Sequence, residues 1–267
     1  MQIYRGMAIG TAAPTLEEMQ GVPHHMIGVA DPGEDFSVGK YVELAEPVLQ
    51  DILSRGKTCV VCGGTGLYAD SLLLGRSFAP CPSTGMRETL EAEARQSGIE
   101  LLLARLKEVD PEAGARLHPS DKRRIIRALE VYLETGETIS EHNRKTKLLP
   151  PKHEAVWIGL SFENRQDLYD RIDLRVERML QDGLLDEIRA LLASGISPAA
   201  TAMQAIGYKE YVDCLTAGGD VHAATALVQQ RSRNYAKRQL TWLRRNEQIH
   251  WILQPREPDF AAVFRQA

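Results

Sequence analysis

The chain has no run of 18 apolar residues, which argues against a membrane-spanning helix. Its opening residues, Met1-Gln2-Ile3-Tyr4-Arg5-Gly6, lack both a charged n-region and an apolar h-region, so no secretory signal is expected there. Cysteine is scarce. Four in 267 residues fit a reducing cytosol better than a disulfide framework, and a cytoplasmic protein is expected. Cys59-Val60-Val61-Cys62 has C-x-x-C spacing but no second ligand pair; buried thiols in a strand are the favoured reading, with zinc or redox use as the alternative. His24 and His25 adjoin Pro23, with neither a third ligand nor an i, i+4 carboxylate, and read as hydrogen-bonded structural residues rather than a metal site.

Acidic residues are missing from three stretches. Residues 122–127, 144–152 and 231–245 hold 14 basic residues and no acid, while the other 237 carry 18 basic and 36 acidic ones. The net charge of −4 therefore conceals clustered cations, which phosphate-backbone binding requires. A solvated face explains any single charge run. Three such runs in an otherwise acidic chain favour nucleic acid.

With 43% hydrophobic residues the chain can bury a substantial core, as one large domain or two small ones. Glycines and prolines punctuate the opening segment as loop. Ser37 caps a predicted helix to about Ser54, with Pro47 implying a kink or break. Lys57–Cys62 reads as a buried strand and Gly63-Gly64-Thr65-Gly66 as a tight turn into a helix, the order of an α/β domain with a parallel sheet. From about Gly75 to Pro151 helical patterns follow one another at 84–96, 100–108 and 120–135, with no strand between them. Strand-like Ala155–Leu160, helices near 164–181, 184–194 and 221–245, and a last strand at Ile249–Ile252 complete the reading.

A glycine turn after a strand suits an anion, because backbone N–H groups approach phosphate oxygens closely and the helix start adds positive charge. Thr65 could donate its hydroxyl to the same oxygen. A plain strand-to-helix turn is the equally open alternative. On the predicted 221–245 helix, Arg231, Arg238 and Arg245 recur every seven residues, with Lys237 and Arg244 one position earlier. That face could meet a nucleic-acid backbone, line a pyrophosphate channel or simply be solvated. In the 121–131 segment, Ile125 and Ile126 face inward while Arg123, Arg124 and Arg127 share the outer surface.

The segments MQIYRGMAIGTAAPTLEEMQGVPHHMI, DPGEDFSVGKY, GGTGLY, DKRRIIRALEVY, AMQAIGYKEY and RSRNYAKRQLTW, in this order, resemble the successive signatures of tRNA dimethylallyltransferases. The resemblance implies an α/β fold like that of P-loop kinases, a parallel sheet flanked by helices, with an all-helical insertion for the anticodon stem-loop. It divides the chain into a core of residues 1–75 and 152–253, an insertion of residues 76–151 and a tail of residues 254–267. The implied activity moves a dimethylallyl group from dimethylallyl pyrophosphate to N6 of the adenosine 3′ to the anticodon of tRNA, with Mg²⁺. A monomer without membrane attachment is expected. The rivals are a non-catalytic tRNA-binding relative and a P-loop small-molecule kinase.

Carried over by position, the resemblance makes Thr65 catalytic beside the diphosphate, with Gly63, Gly64, Arg231, Lys237 and Arg238 binding pyrophosphate. It places Met1 and Gln2 in the second half of the motif that meets the flipped adenine. Arg87, Arg123, Arg124, Ile125, Ile126, Arg127, Gln204 and Lys209 become tRNA contacts. There are departures: Gly28 stands where many members are acidic, and Gln204 where part of the family has arginine. The family also carries a G-x-x-x-x-G-K-[ST] loop and an Asp-Ser whose aspartate acts on the N6 amine. The loop motif is absent from the 267 residues, and the residue matching Met1 comes just after that Asp-Ser. The 267 residues alone are therefore expected to be inactive.

Overall fold

The computed structural model describes residues 1–76, 78–79 and 84–266; residues 77 and 80–83 of the expected insertion and Ala267 of the expected tail lie outside these. The chain forms two compact units, residues 1–69 with 155–267, and residues 70–154. Its elements run α1 (Val38–Ser54), α2 (Gly66–Leu73), α3 (Met86–Ser97), α4 (Ile99–Val109), α5 (Pro111–Arg116), α6 (Lys122–Thr135) and α7 (Ile139–Lys147). Then follow β1 (Trp157–Phe162), α8 (Arg165–Gln181), α9 (Leu184–Ala193), α10 (Tyr208–Ala217), α11 (Val221–Leu243), β2 (Ile249–Gln254) and α12 (Phe260–Gln266).

In the first unit β1 and β2 pair in parallel, from Trp157 opposite Ile249 to Phe162 opposite Gln254. Parallel neighbours need a crossover, and helices α8 to α11 form it. Asn164 caps α8, accepting from Gln166 N–H at 2.9 Å, and Asp220 caps α11 through the N–H groups of His222 and Ala223. The core is built of Leu184, Ile188, Met203, Tyr208 and Tyr211, all fully buried. Tyr211 ties α10 to α11 by a hydroxyl contact with Thr225 at 3.0 Å.

In the second unit α6 is the central element. Its inward stripe, Ile125, Ile126, Ala128 and Leu129, packs with Leu90 of α3 and Leu102 and Leu106 of α4. Gly136, at φ 71°, ends α6 in a left-handed cap that favours glycine.

Two sequence expectations need correction. The predicted strand at 57–62 has no ladder partner among the described residues, and Val60 is 81% exposed. A strand exists only beside a neighbour that completes its hydrogen bonds, and among the described residues β1 and β2 pair only with each other. Pro47 does not break α1. Pro47 and Glu43, whose carbonyl loses its N–H partner, both lie on the exposed side where water replaces that bond. Pro111 follows α4 and opens α5, because Asp110 caps the new helix by accepting from Ala113 N–H at 3.0 Å.

Candidate functional site

The glycine turn sits against α11. Gln239 donates its Nε2 to the Gly64 carbonyl at 3.0 Å. A Cβ on Gly64 would stand 1.9 Å from that nitrogen, and one on Gly66 would stand 2.0 Å from Trp242 Cδ1. The Trp242 ring on α11 thus demands a glycine at 66, while a side chain at 64 would displace the Gln239 amide, reasons the sequence pattern does not reveal. Gly63 differs: nothing lies within 4 Å of its Cβ direction. Thr65 is exposed, its carbonyl accepts from Tyr68 and Ala69 at the start of α2, and its hydroxyl bonds no other described residue. Beneath the turn, Tyr68 and Tyr41 lie 4.7 Å apart between ring centroids, and burial pushes both phenols above their ordinary pKa, so both stay protonated.

A cavity of about 260 Å³ opens beside α11, lined by Gln204, Ile206, Lys209, Glu210, Arg231, Asn234 and Arg238. Residues 231, 234 and 238 follow i, i+3, i+7 spacing and share one face of the helix. Trp242 continues that stripe to the glycine turn, about 6 Å of helix rise beyond Arg238. Gln204 and Lys209, carried over as RNA contacts, therefore line the same space as Arg231 and Arg238, carried over as diphosphate contacts. Lys237 does not line it: its Nζ lies 5.7 Å from the Tyr169 ring on α8, because one helical position turns the side chain by about 100°. Arg245 lies beyond the end of α11 and rests on Trp242 at 5.5 Å.

The acid-free runs are not free of acids in space. Glu210, buried at the start of α10, accepts from the Gly207 N–H at 2.7 Å and from Arg231. Arg233 pairs with Asp173 of α8 at 2.6 Å, Arg144 faces Glu112 at 3.9 Å, and Lys145 holds Glu137 at 2.6 Å. In the second unit buried Glu130 takes Arg87 in a fork, Nε at 3.0 Å and Nη2 at 2.7 Å. The same carboxylate takes Arg127 at 3.0 Å, whose other nitrogen donates to the Ala79 carbonyl at 2.8 Å. Arg124 reaches Asp121 at 3.4 Å, while Arg123 is exposed and pairs with no carboxylate among the described residues. Ile125 and Ile126 are buried in the core, so their side chains support the arginines and present nothing at the surface. Glu130 and Glu210 are the residues that sequence reasoning missed; both lie inside recognisable segments, but nothing local marks their partners.

In the N-terminal segment of the first unit Met1 is exposed, and Gln2 donates its Nε2 to the carbonyls of Thr11 at 3.1 Å and Ala12 at 2.8 Å. Among the described residues no group of three or more His, Cys, Asp or Glu could hold a metal ion, and no helix is long and apolar enough to cross a membrane.

Comparison with known proteins adds the family. The family model described as IPP transferase matches residues 2–246. The chain is 43% identical over 265 residues to tRNA dimethylallyltransferase 1 of Pelobacter propionicus, covering 99% of this chain and 85% of that protein. It is 44% identical over 255 residues to the tRNA dimethylallyltransferase of Geobacter sulfurreducens, covering 96% and 82%. Among solved structures it resembles a full-length tRNA isopentenylpyrophosphate transferase of Bacillus halodurans, at TM-score 0.71 and 38% identity, over 99% of this chain and 82% of that one. It also resembles a eukaryotic dimethylallyltransferase captured acting on tRNA, at TM-score 0.80 and 25% identity, over all of this chain and 69% of that one.

Proposed function

We propose a function on the premise those matches establish, that this chain belongs to the IPP transferase family. Its reaction is an alkyl transfer to tRNA. N6 of the adenosine 3′ to the anticodon attacks the allylic carbon of dimethylallyl pyrophosphate, the carbon–oxygen bond breaks, and pyrophosphate leaves. The proton shed by N6 passes to the aspartate of the family's Asp-Ser segment. Charge grows on the leaving oxygen, so preorganised cations and donors aimed there lower the barrier.

The observation that carries this reading is the convergence on one cavity of Gln204, Lys209, Arg231, Asn234 and Arg238, in line along α11 with the exposed Thr65 turn. Arg238 and Lys209 are the cations that take the pyrophosphate. Arg231, already engaged by Glu210, is a fixed wall charge. Thr65 donates its hydroxyl to a phosphate oxygen. Glu210 is read as a wall residue rather than the base for the N6 proton, since it is buried and its charge is committed to Arg231. Met1 and Gln2 meet the adenine, which must leave its stack to be reached. Arg87, Arg123, Arg124 and Arg127 hold the anticodon stem-loop on the helical second unit, and the protein works as a cytoplasmic monomer.

Mg²⁺ fits as an ion carried by the substrate. Such an ion needs only one or two protein oxygens when phosphates and water fill its other positions, and the Thr65 hydroxyl is free to be one of them. When bound, it neutralises charge on the departing pyrophosphate.

The test is transfer of a labelled dimethylallyl group to unmodified tRNA. In a protein that also carries the family's phosphate-loop segment, Thr65→Val keeps the shape and removes one hydroxyl, so transfer should fall by about 10²–10³-fold while tRNA affinity stays within twofold. The 267 residues contain no G-x-x-x-x-G-K-[ST] motif, so on their own they are expected to be inactive until the family's phosphate-loop segment is joined to them. Binding without transfer even then selects the non-catalytic relative. Absence of tRNA binding, with phosphorylation of a small molecule, selects the kinase.

A further inference from the structure

The first 13 residues form turns around a single bridge, Tyr4 to Ala30, yet one distant side chain pins them. Glu187, in the first turn of α9, accepts from the N–H groups of Ala8 and Ile9 at 2.8 Å each and of Gly10 at 3.2 Å. It accepts a fourth bond from the Tyr208 hydroxyl at 2.6 Å. Tyr208 is fully buried at the start of α10, and its ring lies so close to Gly10 that a Cβ there would stand 2.6 Å from Cε2. Four donors thus converge on one carboxylate, and only a carboxylate has the acceptor capacity for all of them. A carboxamide would turn an NH₂ toward a backbone N–H.

The carbonyls that follow this clamp are those of Thr11 and Ala12, the two that receive Gln2 Nε2. Two carbonyl partners settle which way round the Gln2 amide stands: nitrogen inward, oxygen outward. Its Oε1 accepts from no other described residue. A lone outward acceptor pairs with an N–H donor, and it repels a carbonyl oxygen.

We propose that Glu187 is a positioning residue: by clamping residues 8–10 it holds Gln2 Oε1 as the acceptor for the 6-amino group of the target base, and so selects adenosine. This rests on the reading that Gln2 meets the flipped adenine. It adds a residue 185 positions away in sequence, and a direction of hydrogen bonding, to that contact.

Wild type, Glu187→Gln, Gln2→Ala and the double variant are compared for binding of an anticodon stem-loop. The target position carries either adenosine or purine riboside, which has hydrogen in place of the 6-amino group. Wild type is expected to prefer adenosine by about tenfold, the value of one hydrogen bond. Each single variant loses that preference and the double variant loses nothing further, as for residues acting through one another. Amide exchange at residues 8–10 speeds up in Glu187→Gln while exchange in α10 and α11 keeps its wild-type rate; a merely structural role would move those helices as well. A Glu187→Gln protein that keeps the preference overturns the proposal, as do additive losses in the double variant. If Glu187→Gln does not fold, Tyr208→Phe removes one of the four donors and keeps the ring on Gly10; it is expected to lose part of the preference, and full retention overturns the clamp. A wild type that does not bind the stem-loop defeats the functional reading instead, which separates the two failures.

Discussion

Replacing Glu130 by alanine probes whether the arginines of the second unit are held for RNA or merely neutralised. Glu130 is only 4% exposed, yet its oxygens take two bonds from Arg87 and one from Arg127. Removing one side of a buried ion pair costs about 3–5 kcal/mol when the other side stays buried. Here the arginine side chains keep 49% and 30% of their exposure, so water recovers part of the loss and about 2 kcal/mol is expected. For a chain of this length that is about 4–8 °C in Tm. Binding gives the sharper result. The variant gains one positive charge, which by itself strengthens attraction to phosphate. If Glu130 fixes the guanidinium geometry that RNA needs, the Kd for tRNA should instead become about three- to tenfold weaker. Thermal melts and filter binding at one fixed salt concentration measure both effects. Wild-type stability, or tighter tRNA binding, would refute the reasoning.

Arg123 has no carboxylate partner among the described residues, so Arg123→Ala should reduce the slope of log affinity against log salt by about 1. Lys145→Ala, whose charge already faces Glu137 at 2.6 Å, should change the slope by less than half of that, and equal changes would contradict the assignment. Stability should also fall in alkali. Burial raises the phenol pKa of Tyr4, Tyr41, Tyr68, Tyr208 and Tyr211 above the ordinary value of 10.0, with Glu187 adding to the shift of Tyr208. Groups with a raised folded pKa stabilise fully below the unfolded value and lose that contribution as pH rises past it. A melt series should therefore stay level up to about pH 10 and then decline, and a level profile through pH 11 would contradict it.

Much of this architecture is legible in the residues themselves. The stripe of α6, the Ser37 cap and the long polar–apolar period of α11 are local features, and local features survive into the fold. The strand at 57–62 failed because pairing is not a property of one segment. Helix α7 escaped because ISEHNRKTK carries little apolar period; its one local signal is the Thr138–Glu141 capping box. At the candidate site the cations were legible and their partners were not. Glu130 lies 43 residues from Arg87, Glu210 lies 21 from Arg231, and Asp173 lies 60 from Arg233. Likewise Gly64 and Gly66 read as a phosphate turn, but Gln239 and Trp242, which lie against those glycines, are far along the chain. Sequence spacing grouped Lys237 with Arg238, and helical geometry separates them.

That separation supplies the most direct test of where the leaving group sits. Calorimetric titration of inorganic pyrophosphate with Mg²⁺ into the wild type, Arg238→Ala and Lys237→Ala compares two adjacent cations of equal charge. Only Arg238 lines the cavity shared with Gln204, Lys209 and Arg231. The cavity assignment predicts at least about tenfold weaker binding for Arg238→Ala, with Lys237→Ala within twofold of wild type. Equal losses in both variants, or a loss confined to Lys237→Ala, would contradict it.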